Sequence, residues 1–233
     1  MLSAGARTVL IDGLFLRYES GYAVPADSTH AALERAQPPF DAVDLLLVTH
    51  RHGDHFHPAP VAAHLRANPR ARLVTSRQVV DSLRRGASIA ATAATRLVAR
   101  TMKPGTRRRE VIGGVPIDLL GLSHVGWRHR RVEHLGFLVE LGGRRVLHVG
   151  DADFTEKAFA PLRLDTARID VALLPYWAVT SREGRRVIER WIRPRRVVAI
   201  HVGEGGAERA AREVRAAMPA AVTFARSLDS RRW

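Results

Sequence analysis

A layered α/β fold is predicted by three observations. Short apolar or alternating runs, too short for most helices, recur along the chain. Segments with helical composition and capping residues are interspersed among them. No Gly/Ser/Pro-rich linker or low-complexity tract divides the 233 residues, so 1–233 is read as one domain, large enough to bury a substantial core.

The elements follow in order. Thr8 to Leu16, TVLIDGLFL, reads as a strand running into a turn at Asp12-Gly13. Residues 17–40, with weak periodicity and two prolines, read as mostly loop. Asp44 to Thr49 is a continuous apolar run, the pattern of a strand covered on both faces. A helix is predicted over 59–67, ending at Asn68-Pro69, then a strand over 71–76 whose Ser76 caps a helix to about Arg84. The Ala- and Thr-rich segment 87–101 fits helix or irregular structure equally. Val111 to Leu122 alternates like a half-buried strand ending just before His124, and a turn rich in Arg and His follows. Leu135 to Leu141 and Arg145 to Val149 form a hairpin around Gly142-Gly143. Ile169 to Leu174 is another buried strand. Thr180 and Glu183 have capping-box spacing for a helix to about Ile192. A strand over 197–201 and a helix over 207–218 complete the chain.

Composition narrows the function classes. Hydrophobic content is 46%, and no apolar run approaches the roughly 20 residues that span a bilayer. The start MLSAGARTVLIDG lacks the apolar core of a signal peptide, so a cytoplasmic protein with no membrane partner is expected. There is no cysteine, so any metal must be held by nitrogen and oxygen, which suits zinc, iron or manganese. The net charge is +14, and only Lys103 and Lys157 are lysine. Arginine spread so evenly fits a solvated surface; a phosphate-bearing partner or substrate is the alternative. The runs Arg107 to Arg109 and Arg128 to Arg131 are placed in loops.

The stretch VTHRHGDHFHP (Val48 to Pro58) carries the chemistry. Residues two apart in an extended loop point the same way, so His50 and His52 can grip one ion. Asp54 and His55, where the chain turns into a helix, can reach a second. His124, Asp151 and His201 each follow an apolar run, so a sheet could bring them to the same edge. The resulting set puts His50, His52 and His124 on one ion and Asp54, His55 and His201 on the other, with Asp151 bridging.

VTHRHGDHFHP, followed in order by LSHVG, LHVGD and AIHVG, resembles the metallo-β-lactamase superfamily. TVLIDGLF, LLPYWAVTSREG and RPRRVVAIHVG are similar to its bacterial metal-dependent hydrolase branch, which also contains sugar-phosphate lactonases. The resemblance covers roughly residues 8–205. It implies a four-layer αβ/βα sandwich with the site at one edge of two sheets, and it carries the family's ligands onto the same seven residues. It further implies a dinuclear site, with zinc the expected metal and iron or manganese the alternatives. A bridging hydroxide would cleave an ester, lactone or phosphoester-type bond of a small-molecule substrate, and Asp54 would orient it as the catalytic residue. His52 stands where the oxygen-reducing diiron branch usually has glutamate, which favours hydrolysis over redox work. A nuclease acting on nucleic acid, suggested by the basic charge, and a non-catalytic metal-binding protein are the competing readings. Members generally open with an extra strand, but only seven residues precede Thr8; either the fold lacks its first N-terminal strand or the start of the chain was assigned too late.

Other residues have less specific readings. His134 competes with His124 as third ligand, but begins a strand instead of ending one. His57 is read as packing or capping, His148 as supporting a ligand or filling core, and His30 and His64 as surface. His129 is solvated or faces substrate. Trp127, Tyr176 and Trp177 are core or pocket wall. Asp12 could orient a ligand histidine.

Overall fold

Why the apolar runs are so short becomes clear from the sheets they build. The computed structural model describes residues 1–16, 24–203, 206–224 and 228–233; residues 17–23 of the expected loop lie outside these. One sheet has five strands in sequence order: β1 (Leu2–Ala4), β2 (Arg7–Ile11), β3 (Leu45–Leu47), β4 (Arg72–Ser76) and β5 (Leu97–Arg100). β2 to β5 are parallel, and β1 pairs antiparallel with β2. The second sheet contains β6 (Arg107–Ile112), β7 (Val115–Leu122), β8 (His134–Leu141), β9 (Arg144–His148), β10 (Val171–Pro175), β11 (Val197–Ile200) and β12 (Val222–Thr223). Its spatial order simply reverses the sequence, from β12 to β6. β6 to β9 run antiparallel, and β9 to β12 are parallel.

Strand alternation divides the core into layers. Val9, Leu45, Leu47 and Val74 of the first sheet pack against Ile117, Leu119, Phe137 and Val139 of the second. Their sequence neighbours Leu10, Leu46 and Leu73 point the other way. They pack on α1 (Asp27–Glu34), α2 (Pro58–Ala67) and α3 (Arg77–Gly86) through Leu33, Val61, Leu65, Val79 and Leu83. The four-residue α4 (Ala91–Ala94) leads into β5. On the far side, Leu120, Leu138, Leu147 and Leu174 meet apolar residues of α5 (Glu156–Phe159), α6 (Tyr176–Thr180), α7 (Arg182–Val187) and α8 (Ala207–Ala217). The order is helix, sheet, sheet, helix, the four-layer αβ/βα sandwich. Among the described residues, no helix is long and apolar enough to cross a membrane.

Several expectations are corrected. The first sheet does not lack a strand ahead of β2, because Ser3 of β1 pairs with Thr8 of β2. The loop expected over 17–40 contains α1, whose one buried residue, Leu33, gives too little periodicity to announce a helix. The strand expected over 111–122 is a hairpin broken at Gly113 and Gly114, whose φ values of 58° and 78° make the turn. Its first arm takes Arg107 to Arg109 out of the expected loop. They stand on a charged edge strand paired with Asp118, Glu110 and Glu140. The segment 87–101 resolves into α4 and β5. The predicted cap falls on Ser181, whose Oγ accepts from the Gly184 N–H at 3.1 Å, instead of Thr180. A last strand, β12, had too few residues to read. His64 is not on the surface: it is fully buried, and its Nδ1–H donates to the Leu33 carbonyl at 2.5 Å, tying α2 to α1.

Asp44, just before β3, has a similar tying role and a pH consequence. Its carboxylate accepts from the Thr8 N–H at 2.9 Å and from Arg70 at 2.9 Å, with Arg7 at 3.3 Å. Burial pushes its pKa up, but these donors outweigh that and hold it below the ordinary carboxylate value. The folded pKa is the lower one, so the stabilisation is fully present above the unfolded pKa and is lost as pH falls through the folded pKa. Asp44→Asn is expected to cost about 1–2 kcal/mol at neutral pH, the exposed arginines contributing least. Urea unfolding of both proteins from pH 7 to pH 3 should show the gap closing in acid; a pH-independent gap would contradict this account.

Candidate metal centre

The strands all deliver their chemistry at their C-terminal ends. Asp12 follows β2, and Thr49 and His50 follow β3. His124 follows β7, Asp151 follows β9 and His201 follows β11. The loops are stitched together by backbone hydrogen bonds. Leu135 N–H donates to the Thr49 carbonyl at 2.9 Å, joining the two sheets, and Val125 N–H donates to the Asp151 carbonyl at 2.8 Å. Asp12 and His201 have φ of 47° and 62°, a backbone that L residues rarely adopt and that turns each side chain away from its strand direction.

Two groups of close donor atoms result. His50, His52 and His124 form one, and Asp54, His55, Asp151 and His201 the other; within each, one atom per residue lies within 4.8 Å of all the rest. The structure brings together the seven residues singled out in the sequence, with Asp151 falling in the second group. Asp151 lies between them: Oδ1 is 3.2 Å from His55 Nε2 and 3.3 Å from His201 Nε2, while Oδ2 is 3.6 Å from His124 Nε2. His134 is buried with its ring centroid 4.9 Å from that of His50, yet it falls outside both groups.

The supporting hydrogen bonds set which ring nitrogen each histidine presents. His124 Nδ1–H donates to the Val125 carbonyl at 2.7 Å, leaving Nε2 buried and without a hydrogen-bond partner. The Thr49 hydroxyl gives its one hydrogen to Asp12 Oδ2 at 2.7 Å, so it accepts from His50 Nδ1 at 3.0 Å and His50 presents Nε2. His55 Nδ1–H donates to Asp12 Oδ2 at 2.8 Å, so its Nε2 faces Asp151 and His201. Asp12 thereby orients a histidine in each group, and its other oxygen accepts from the Thr49 N–H at 2.8 Å. The sequence reading named Asp12 for such a role but missed Thr49. The one signal was a polar, β-branched residue at the end of an apolar run.

Electrostatics matches this wiring. Burial lowers the pKa of His55, but the Asp12 and Asp151 carboxylates beside it win and raise it to about 10. Burial disfavours the Asp151 carboxylate, yet His55, His201 and His124 hold its pKa well below the usual range. Asp54 is likewise held low by His201 and His55 against its burial. In the other group, burial and neighbouring histidines lower His52 to about 4 and push His50 well below its ordinary value. The histidines of that group are therefore neutral bases at physiological pH.

A divalent cation fits both groups on chemical grounds. His55 Nε2 and His201 Nε2 are 3.2 Å apart, and His50 Nε2 and His52 Nδ1 are 3.1 Å apart. Paired lone pairs at such distances need a proton or a cation between them. His124 Nε2 and Asp151 Oδ1, both buried without a hydrogen-bond partner, are the unsatisfied acceptors that such an ion would satisfy.

The remaining residues take up supporting positions. His57 caps α2, its Nδ1 accepting from the Ala59 N–H at 3.4 Å. His148 is buried and accepts from the Gly150 N–H at 3.1 Å. His30 is half-buried, edge-on to Phe15, and not simply on the surface. Trp177 lies edge-on to His201 with centroids 5.0 Å apart, whereas the Tyr176 hydroxyl turns away to bond Glu213. His129 is exposed, but its ring lies 4.8 Å from His52 and 4.7 Å from His124.

The family profile described as the beta-lactamase superfamily domain matches residues 7–222, a span that contains all seven candidate ligands. The chain belongs to the beta-lactamase superfamily. Within it, a UPF0173 metal-dependent hydrolase of Symbiobacterium thermophilum is 29% identical over 161 residues, covering 68% of this chain and 65% of that protein. A UPF0173 protein of Pyrococcus furiosus is 31% identical over 174 residues, 69% of this chain and 67% of that protein. The chain thus spans about two thirds of the length of these curated relatives. A crystal structure from Veillonella parvula, named a possible metal-dependent hydrolase, has a TM-score of 0.62 at 14% identity, over 96% of this chain and 92% of that one. At that identity the likeness is one of superfamily fold.

Proposed function

We propose that this protein is a metal-dependent hydrolase with two divalent ions, zinc by preference, acting on an ester, lactone or phosphoester-type bond of a small molecule. The observation that carries the reading is Asp151 standing between two complete donor groups, one oxygen toward each. His50, His52 and His124 would hold one ion, and Asp54, His55 and His201 the other. Bound there, the ions would supply a lowered water pKa and a Lewis acid for the scissile group.

The chain supplies the positioning. Asp54 is only partly buried and stays ionised, so its carboxylate can accept a hydrogen bond from the attacking water and turn it toward the substrate. Asp12 and Thr49 fix the ring orientation of His50 and His55 before substrate arrives. His52 is half-buried where His50 and His55 are buried, so of the candidate ligand histidines that follow β3 it is the most accessible to a substrate. The name metal-dependent hydrolase carried by the Symbiobacterium relative supports the hydrolytic reading, as does histidine at position 52.

The test is a screen of carboxylic esters, lactones and phosphodiesters with the purified protein. Hydrolysis should vanish on chelation and return on adding zinc; activity indifferent to chelator would overturn the proposal. Asp12→Asn should lower metal affinity about 10–100-fold, because an amide cannot accept from Thr49 N–H, Thr49 Oγ–H and His55 Nδ1–H together. Competition against a chelating dye measures this directly, and unchanged affinity would remove Asp12 from the account.

A further inference from the structure

Resting on that hydrolytic reading, we infer that the segment Gly126 to Arg131 recognises an oxyanion carried by the substrate, a carboxylate or phosphate, through Arg128 and Arg130. The segment leaves the strand β7 directly after His124, and His129 in its middle touches the rings of His52 and His124. Whatever binds at the first donor group therefore lies against this segment.

Trp127 is 73% exposed, the most exposed large hydrophobic side chain of the described residues. Two guanidiniums that follow it in sequence lie near its ring, Arg128 Cζ at 5.6 Å and Arg130 Cζ at 5.9 Å from the centroid. The indole restrains both cations by cation–π attraction. Neither Arg128 nor Arg130 has a carboxylate partner among the described residues. The neighbouring run Arg107 to Arg109 is the internal contrast, since all three of its guanidiniums are paired.

The backbone that presents them is fixed at both ends. Gly126, with φ of 84°, starts a turn closed by His129 N–H to the Gly126 carbonyl at 3.0 Å. At the far end Gln78 donates from Nε2 to the Arg131 carbonyl at 2.7 Å and accepts from the Glu133 N–H at 2.9 Å. Two cations restrained against one ring and without a carboxylate partner bind an oxyanion with little further ordering, and guanidinium forks match its geometry. The same positive rim raises the rate at which anionic substrates arrive.

The experiment is a titration of tryptophan emission with phenyl phosphate, with benzoate, and with phenol as the neutral control. A saturable change is expected with at least one of the two anions, and the tighter of them identifies the oxyanion. Phenol should bind at least about tenfold more weakly, and the double variant Arg128→Gln/Arg130→Gln should weaken anion binding by a similar factor or more. Trp127→Phe should remove the signal. Metal content and melting temperature, read on the same samples, should not change in the double variant. Anion binding that survives the double variant, phenol binding as tight as the anions, or no saturable change would each overturn the inference. So would a short single-stranded DNA bound more tightly than either anion through the same arginines, which would assign the segment to nucleic acid. Arginine-dependent binding in a protein without metal would sink the hydrolytic reading alone; metal-loaded protein with arginine-independent binding would sink this inference alone.

Discussion

Asp151→Asn is expected to lower hydrolysis by about two to three orders of magnitude while the protein stays folded, the scale seen when a fixed charge-stabilising group is lost from an active site. The change preserves volume but removes the charge that faces His55, His201 and His124 together. Its cost differs from that of a single ligand, because one carboxylate serves both donor groups. Metal content should fall below that of the parent protein, and the second group should suffer most, since Asp151 lies nearest its two histidines. Steady-state rates together with elemental analysis check this. A variant with parent-like metal content and rate would show that Asp151 is a structural aspartate only.

Stripping the metal should lower the melting temperature by about 5–16 °C. Ligand held at 100 to 1,000 times its dissociation constant stabilises the native state by about 2.7–4.1 kcal/mol. For a chain of this size, each kcal/mol corresponds to about 2–4 °C. The structural reason is that the donor groups join four loops from both sheets; without a cation, His50 and His52, and His55 and His201, face one another through lone pairs or a shared proton. Calorimetry before and after chelation measures the shift, and restoring zinc should reverse it. An unchanged melting temperature would mean that the loops are held by Asp12, Thr49 and the backbone bonds alone.

The parts of the fold legible in the sequence were those where burial forces a pattern. LLLV before the histidines is buried on both faces because it lies between α2 and the second sheet, so it had to be apolar throughout. Gly142-Gly143 announced its hairpin because both residues adopt positive φ. What was hidden obeys other physics. β6 reads as a charged loop, since its arginines are satisfied by carboxylates, Asp118 across the hairpin and Glu110 on the same strand, and not by burial. His64 looked like a surface residue because nothing local shows that the Leu33 carbonyl waits opposite it. The seven candidate ligands stood out in the sequence because four cluster in the loop after one apolar run and His124, Asp151 and His201 each follow another, and strand ends in a sheet share one edge. His129 broke that rule. It reaches the site from mid-loop, through a return of the chain that only the tertiary structure displays.

The most direct measurement of the central claim is anomalous diffraction at the zinc edge from crystals of the protein purified without chelator. Two peaks per chain are expected, one bounded by His50, His52 and His124, the other by Asp54, His55 and His201, with Asp151 between them. A single peak, or peaks elsewhere with these seven side chains in the same arrangement, would contradict a two-ion site.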